Sequence, residues 1–162
     1  MAGTEADALF ACGGEAVCAV LTADCLPILL CDEAGTVVAA AHAGWRGLAA
    51  GVIEATVAAM SVPRERLLAW MGPAIGPSAF EVGEDVRAAF TIGDPGAAVA
   101  FEARSGGKWS CNLYALARRR LNAMGIERVF GGDRCTFTEH EFFFSYRREG
   151  RTGRMASLVW IV

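Results

Sequence analysis

The sequence predicts an α+β fold, a single layered domain of mixed sheets flanked by helices that spans residues 1–162. Three observations predict it. The runs rich in Val, Leu and Ile are short, as strands are. One long Ala-rich stretch reads as helix. Strand-like and helix-like segments follow one another without strict alternation, which favours packed layers over a doubly wound parallel sheet. A chain of 162 residues, 54% hydrophobic and 20% charged, can build one domain with a real core.

The elements follow in order. "AVCAVLTADC" and "LPILLCD" read as strands, with Pro27 starting the second or marking a break between them. "EAG" is a turn. "TVVAAAHA" is a third strand, and its continuous apolarity implies burial on both faces. "GWRGLAAGVIEATVAAM" is helical from about Gly47; Glu54 is its only charge after Arg46, so little of it faces water. "RLLAWM" is a strand leading into a Gly/Pro-rich loop, and "EDVRAAF" is a short helix. "AAVAFEAR" reads as a strand and "SGGKWS" as a loop. Ser110 or Asn112 caps a helix that runs to about Met124, and Gly125 closes it. "IERVFGGD" and "RMASLVWIV" are the last strands.

Composition narrows the function. No apolar run reaches the length of a membrane span. "MAGTEADALF" carries two acids and no basic region, so it does not read as a secretory signal; the expected compartment is the cytoplasm. The six cysteines form no C-x-x-C pair and read mostly as small buried hydrophobes. The net charge of −3 is uneven: 13 acids and 4 bases over residues 1–103, against 5 acids and 11 bases over residues 104–162. Arg118, Arg119 and Arg120 read as a solvated helix face. The cluster Arg147, Arg148, Arg151 and Arg154 lies among glycines and aromatics. A small anion suits it better than nucleic acid, because the chain is acidic overall and has no long basic stripe.

Three constellations carry chemistry. Cys25 and His42 each stand where a strand gives way to a turn, and neighbouring strands would bring them together. A thiolate and an imidazole suit zinc, which needs a third or fourth ligand; equally they suit a nucleophile and its base, or an ordinary core. Asp24 beside Cys25 is a carboxylate in apolar surroundings and needs a partner. In "HAGWRG" two glycines bracket Trp45 and Arg46, as at the mouth of a pocket. In "MGPAIGPSAFEVG" two Gly-Pro steps stiffen a loop; Phe80 offers a stacking surface, and Glu81 either caps the next helix or meets substrate. In "FFFSYRREGRTGR" the arginines suit a phosphate or carboxylate clamp, unless the segment is a basic hairpin loop in solvent.

"ADALF", "VLTADCLPILLCD", "AAHAGWRG", "MGPAIGPSAFEVG", "DRCTF" and "FFFSYRREGRTGRMASLVW" together resemble the YfiH-like family, also called laccase-domain or polyphenol-oxidase-like. The resemblance implies an α/β/β/α layering. It implies zinc held by a histidine, a cysteine and a second histidine, the last two mapping to Cys25 and His42. It implies phosphorolysis of adenosine, inosine and methylthioadenosine, and adenosine deamination by a water activated at Cys25–His42. Arg46, Arg147 and Arg148 would hold phosphate, Trp45 or Phe80 the purine, and Asp24 would orient His42 or act as acid or base. The family's first histidine lies in a "Q-V-H-G"-type motif upstream of "ADALF" and has no counterpart here; His140 matches no ligand position. The expectation is therefore an N-terminally truncated domain with an exposed edge or a homodimer contact. The alternatives are a metal-independent Cys–His hydrolase, a polyphenol oxidase, and an inactive nucleoside-binding remnant. Copper fits poorly, since a blue-copper centre alone wants two histidines, a cysteine and usually a methionine, and the chain has two histidines in all.

Overall fold

The computed structural model describes residues 6–14 and 16–162. The strands are β1 (Ala8–Cys12), β2 (Val17–Thr22), β3 (Leu26–Asp32), β4 (Val37–Ala43), β5 (Leu67–Met71), β6 (Glu81–Val82), β7 (Phe101–Ala103), β8 (Trp109–Cys111), β9 (Val129–Gly131) and β10 (Met155–Trp160). The α-helices are α1 (Trp45–Ala49), α2 (Val52–Met60), α3 (Glu84–Thr91), α4 (Leu113–Ala123) and α5 (Tyr146–Glu149). They build a five-stranded sheet in the order β1-β4-β3-β5-β9, a ribbon of β2 with β10, and a small sheet β6-β8-β7. Among the described strand pairings only β5 with β9 is parallel. This is the mixed α+β layering that the pattern predicts.

The β3–β4 hairpin organises the rest. Asp32 closes its turn, accepting from the Thr36 N–H at 2.6 Å, the Thr36 hydroxyl at 2.8 Å and the Val37 N–H at 2.9 Å. The N–H of Val37 leads the effects that hold its carboxyl below the usual carboxylate range. Both strands are apolar on both faces because both faces are covered. Leu26, Ile28, Leu30, Val37 and Ala39 join the main core with helices α2 and α4. Val38 and Ala40 join a second cluster with Cys18 and Val20 of the ribbon. The ribbon alternates: Cys18, Val20 and Thr22 point inward, while Val17, Leu21, Leu158 and Trp160 stand exposed on its outer face. No described helix is long and apolar enough to cross a membrane.

Three local expectations are changed or settled, and one strand is added. The segment after His42 is two helices, because Gly51 takes a left-handed turn (φ 91°) that ends α1 and starts α2; α1 begins at Trp45, ahead of Gly47. "AAVAFEAR" is a 3₁₀ turn over Pro95–Ala100, and only Phe101–Ala103 is strand, since Asp94 caps a turn that Pro95 begins. Asn112, not Ser110, caps α4; the Ser110 hydroxyl donates to the Pro77 carbonyl at 2.6 Å. Strand β1 (Ala8–Cys12), which no expectation covered, begins inside "ADALF" and runs antiparallel to β4, with its Ala11 in the second cluster.

Candidate functional site

The register of the β3–β4 hairpin brings the first constellation together. Pro27 lies opposite His42 and Leu26 opposite Ala43, so Cys25, just before β3, meets the end of β4. Gly44 shows how close they come: a Cβ at that position would lie 2.8 Å from Cys25 Sγ and 3.6 Å from His42 Nε2. A side chain at 44 would fill the space that the sulfur and the imidazole both face.

Around them lies a cavity of about 440 Å³. Asp24, Cys25, His42, Trp45, Arg46, Phe80 and Arg147 all line it. Arg46 lies over the Trp45 ring, its guanidinium carbon 4.5 Å from the centroid. Arg147 lies 5.4 Å from the Phe80 centroid and donates to the Glu81 carbonyl at 3.1 Å. Both arginines therefore carry their charge against an aromatic wall. Glu81 serves through that carbonyl; Gly83 is the N-cap of α3, with no side-chain cap.

Two residues of the predicted set stand differently. Arg148 does not line the cavity. Its guanidinium donates to the carbonyls of Thr136 (2.8 Å), Phe137 (2.9 Å) and Phe143 (2.8 Å), and to the Glu149 carboxylate (2.7 Å). Those acceptors occupy the donors a phosphate would need. Asp24 lines the cavity but does not orient His42. One carboxylate oxygen accepts from the Thr136 hydroxyl and the other from the Arg147 N–H, both at 2.6 Å. These bonds are what permit a carboxylate only 8% exposed.

Sequence reasoning left three residues out of the set. Tyr146 and Arg154 line the cavity; both belong to the "SYRREGRTGR" cluster, so the signal was present without a direction for each side chain. Thr22 also borders it, 2% exposed, and its hydroxyl has no partner among the described residues. Nothing in an isolated threonine announces that.

The electrostatics of Cys25 are mixed. Burial first, then the Asp24 charge, push its thiol up, while Arg154 and Arg46 pull the other way. The net direction is upward, which leaves little thiolate at neutral pH for a metal-free nucleophile. As metal donors, Cys25 and His42 fit zinc in kind. They do not complete its set: no group of three His, Cys, Asp or Glu positioned for a metal occurs among the described residues. Asp24 has both oxygens engaged, and His140 is exposed, outside the cavity. A multi-copper arrangement needs more imidazoles than the two this sequence holds.

Residues 2–162 match the family described as multi-copper polyphenol oxidoreductase laccase. The purine nucleoside phosphorylase YfiH of Escherichia coli (strain K12) is 57% identical over 161 residues, 99% of this chain and 66% of that protein. Purine nucleoside phosphorylase PA4543 of Pseudomonas aeruginosa is 55% identical over 97% of this chain and 65% of its own. The crystal structure of Neisseria meningitidis protein NMB0706 superposes with a TM-score of 0.96 at 57% identity, covering 97% of this chain and 65% of that one. The chain thus spans about two thirds of the length of these relatives. It belongs to the multi-copper polyphenol oxidoreductase laccase family, the YfiH-like family that its motifs resemble.

Proposed function

We propose that the cavity binds a purine nucleoside together with inorganic phosphate and cleaves the nucleoside by phosphorolysis. One observation carries this reading. Arg46, Arg147 and Arg154 converge on one cavity with Trp45, Phe80 and Tyr146, and none of the three forms an ion pair with a carboxylate among the described residues. Guanidinium groups that line a cavity without a carboxylate partner suit a phosphate dianion, and flat aromatic walls suit a purine. The names of the relatives point the same way.

The chemistry follows from that arrangement. A phosphate oxygen attacks the anomeric carbon of the ribose, and the bond from that carbon to the purine nitrogen breaks. The electron pair leaves on the base, the proton of hydrogen phosphate ends on the base, and the products are ribose 1-phosphate and free purine. Positive charge develops on the ribose in the transition state, so a dianion fixed beneath it stabilises that state by position and by charge. The arginines hold the dianion, and the rings hold the base. Zinc would supply a Lewis acid at Cys25–His42, but these two donors need a third ligand, so no step is assigned to a metal.

The test is phosphorolysis of inosine, adenosine and methylthioadenosine by the 162-residue chain, with and without added zinc. Phosphate-dependent appearance of free base and ribose 1-phosphate is expected, slowed by Arg147→Met through a raised KM for phosphate. Adenosine is also assayed for ammonia, which reports deamination. Base release at the same rate without phosphate, or none under any condition, overturns the reading.

A further inference from the structure

The helix α5 has four residues, too few to hold its own shape. Yet it carries two cavity residues, Tyr146 and Arg147. Three side chains fix it. Ser145, fully buried, accepts from the Arg148 N–H at 3.2 Å. Asp24 accepts from the Arg147 N–H at 2.6 Å. The Arg148 guanidinium ties the helix to the Thr136, Phe137 and Phe143 carbonyls. Thr136, also fully buried, is the shared node: its hydroxyl donates to Asp24 and its carbonyl accepts from Arg148.

Asp24 bears the other end. Its backbone is left-handed at φ 86°, a conformation a non-glycine residue holds only when its surroundings over-determine it. Its own carbonyl accepts the Ile75 N–H at 2.9 Å. One residue therefore joins the turn before β3, the Gly-Pro loop, the Thr136 loop and α5, and the next residue in the chain is Cys25.

We propose that Asp24 and Arg148, joined through Thr136, form a clasp that holds α5 so that Tyr146 and Arg147 face the cavity. They are positioning residues that serve anion binding without touching the anion. The inference rests on the phosphate reading above. It gives both a role that residue type alone does not suggest: the acid joins segments, and the second arginine of the "YRR" step anchors the helix from outside the cavity.

Substitutions separate the roles. Asp24→Gly keeps the left-handed backbone, which glycine adopts freely, and removes the two side-chain bonds together with a negative charge at the cavity, whose loss by itself would strengthen anion binding, so weaker binding reports the lost bonds. Asp24→Asn keeps an oxygen for the Arg147 N–H and can donate to the Thr136 hydroxyl, so it is the rescue variant. Arg148→Met breaks the other half, and Arg148→Lys restores one donor. The measurements are binding of inorganic phosphate by calorimetry and hydrogen exchange of the amides of residues 146–149. Arg147→Met is expected to weaken phosphate binding at least tenfold with α5 exchange unchanged. Asp24→Gly and Arg148→Met are expected to weaken it about tenfold and to speed α5 exchange by a similar factor, with Asp24→Asn and Arg148→Lys in between.

Wild-type phosphate affinity and α5 exchange in both clasp variants would overturn the clasp. So would weakened binding with wild-type exchange in Arg148→Met, since Arg148 would then touch the anion itself. If Asp24→Gly does not fold, Thr136→Val, which removes a single bond of the clasp, takes its place. If the unsubstituted chain binds no phosphate, the phosphate reading fails. The exchange rates of folded Arg148→Met and Thr136→Val still decide whether the clasp exists.

Discussion

Two groups of arginines, one on α4 and one at the cavity, are used in different ways. On α4, every guanidinium is engaged. Arg118 donates to the carbonyls of Val129 (2.9 Å) and Gly131 (3.2 Å), which ties the helix to β9. Arg119 grips the Asp94 carboxylate with two donors. Arg120 donates to Glu54 at 2.7 Å and to the Ala49 carbonyl at 3.3 Å, joining α4 to α1 and α2. The face is solvated at Arg119, as expected, yet other elements bring acceptors to all three. At the cavity, Arg46, Arg147 and Arg154 meet no carboxylate among the described residues; one nitrogen of Arg147 donates to the Glu81 carbonyl and one of Arg154 to those of Thr152 and Gly153, so their positive charge stays without an anionic partner. The difference teaches that an arginine run has no fixed meaning. The acceptors delivered by distant segments decide whether it holds the protein together or waits for a ligand.

The comparison breaks or sharpens under substitution. The largest effect is expected from Arg147→Met combined with Arg154→Met. Losing two charge-assisted contacts, each worth about 1.5–3 kcal/mol, should weaken phosphate binding about 100-fold or more while the melting temperature stays near wild type. Unchanged phosphate affinity would place the anion elsewhere. Arg120→Met should do the reverse. It strands Glu54, one of whose carboxylate oxygens is already buried without a partner, and removes the link among three helices. Denaturant unfolding should show a loss of about 1–2 kcal/mol, with phosphate affinity untouched. Arg119→Met sits lower still. Its pair with Asp94 is nearly half exposed on both sides, so the melting temperature should fall slightly at low salt and the difference should vanish near 1 M salt. An Arg119 effect that survives high salt would put that pair on the buried side of the division.

The same principle separates two cysteines. Burial pushes the Cys135 thiol up, but the hydroxyl and N–H of Thr138 and the N–H groups of Gly76 and Phe137 outweigh it and bring the thiol below its ordinary value. Burial alone pushes Cys111 up to about 12. A thiol with the lower pKa carries more thiolate at a given pH, so iodoacetamide at pH 7.5 should label Cys135 well before Cys111, as peptide mass mapping of the folded protein would show. Equal rates would mean that the donors around Cys135 do not reach its sulfur.

Much of this was legible in the residues. The apolar runs of β3 and β4 and the short turn between them specified the hairpin, because strands buried on both faces leave a continuous apolar signal. That hairpin is what joins Cys25 to His42. The break at Gly51 was less legible, since a glycine inside an Ala-rich run is compatible with a continuous helix until packing selects otherwise. Strand β1 was harder to read because five residues carry little periodicity, and its evidence is its pairing with β4. The helix α5 left almost no local trace, as it exists through contacts from Asp24 and Thr136.

The sequence by itself determined the mixed α+β layering, the β3–β4 hairpin and the family. Each depends on local period, turn chemistry or a motif, all properties of neighbours in the chain. Only the tertiary structure decided that Arg147 faces the cavity and Arg148 faces away. It also placed Asp24 as a joint between segments distant in the chain. Asp24 meets Thr136 and Arg147 across 112 and 123 residues of chain. The direction of a side chain in a short helix is set by partners that far away, and residue type carries no record of them.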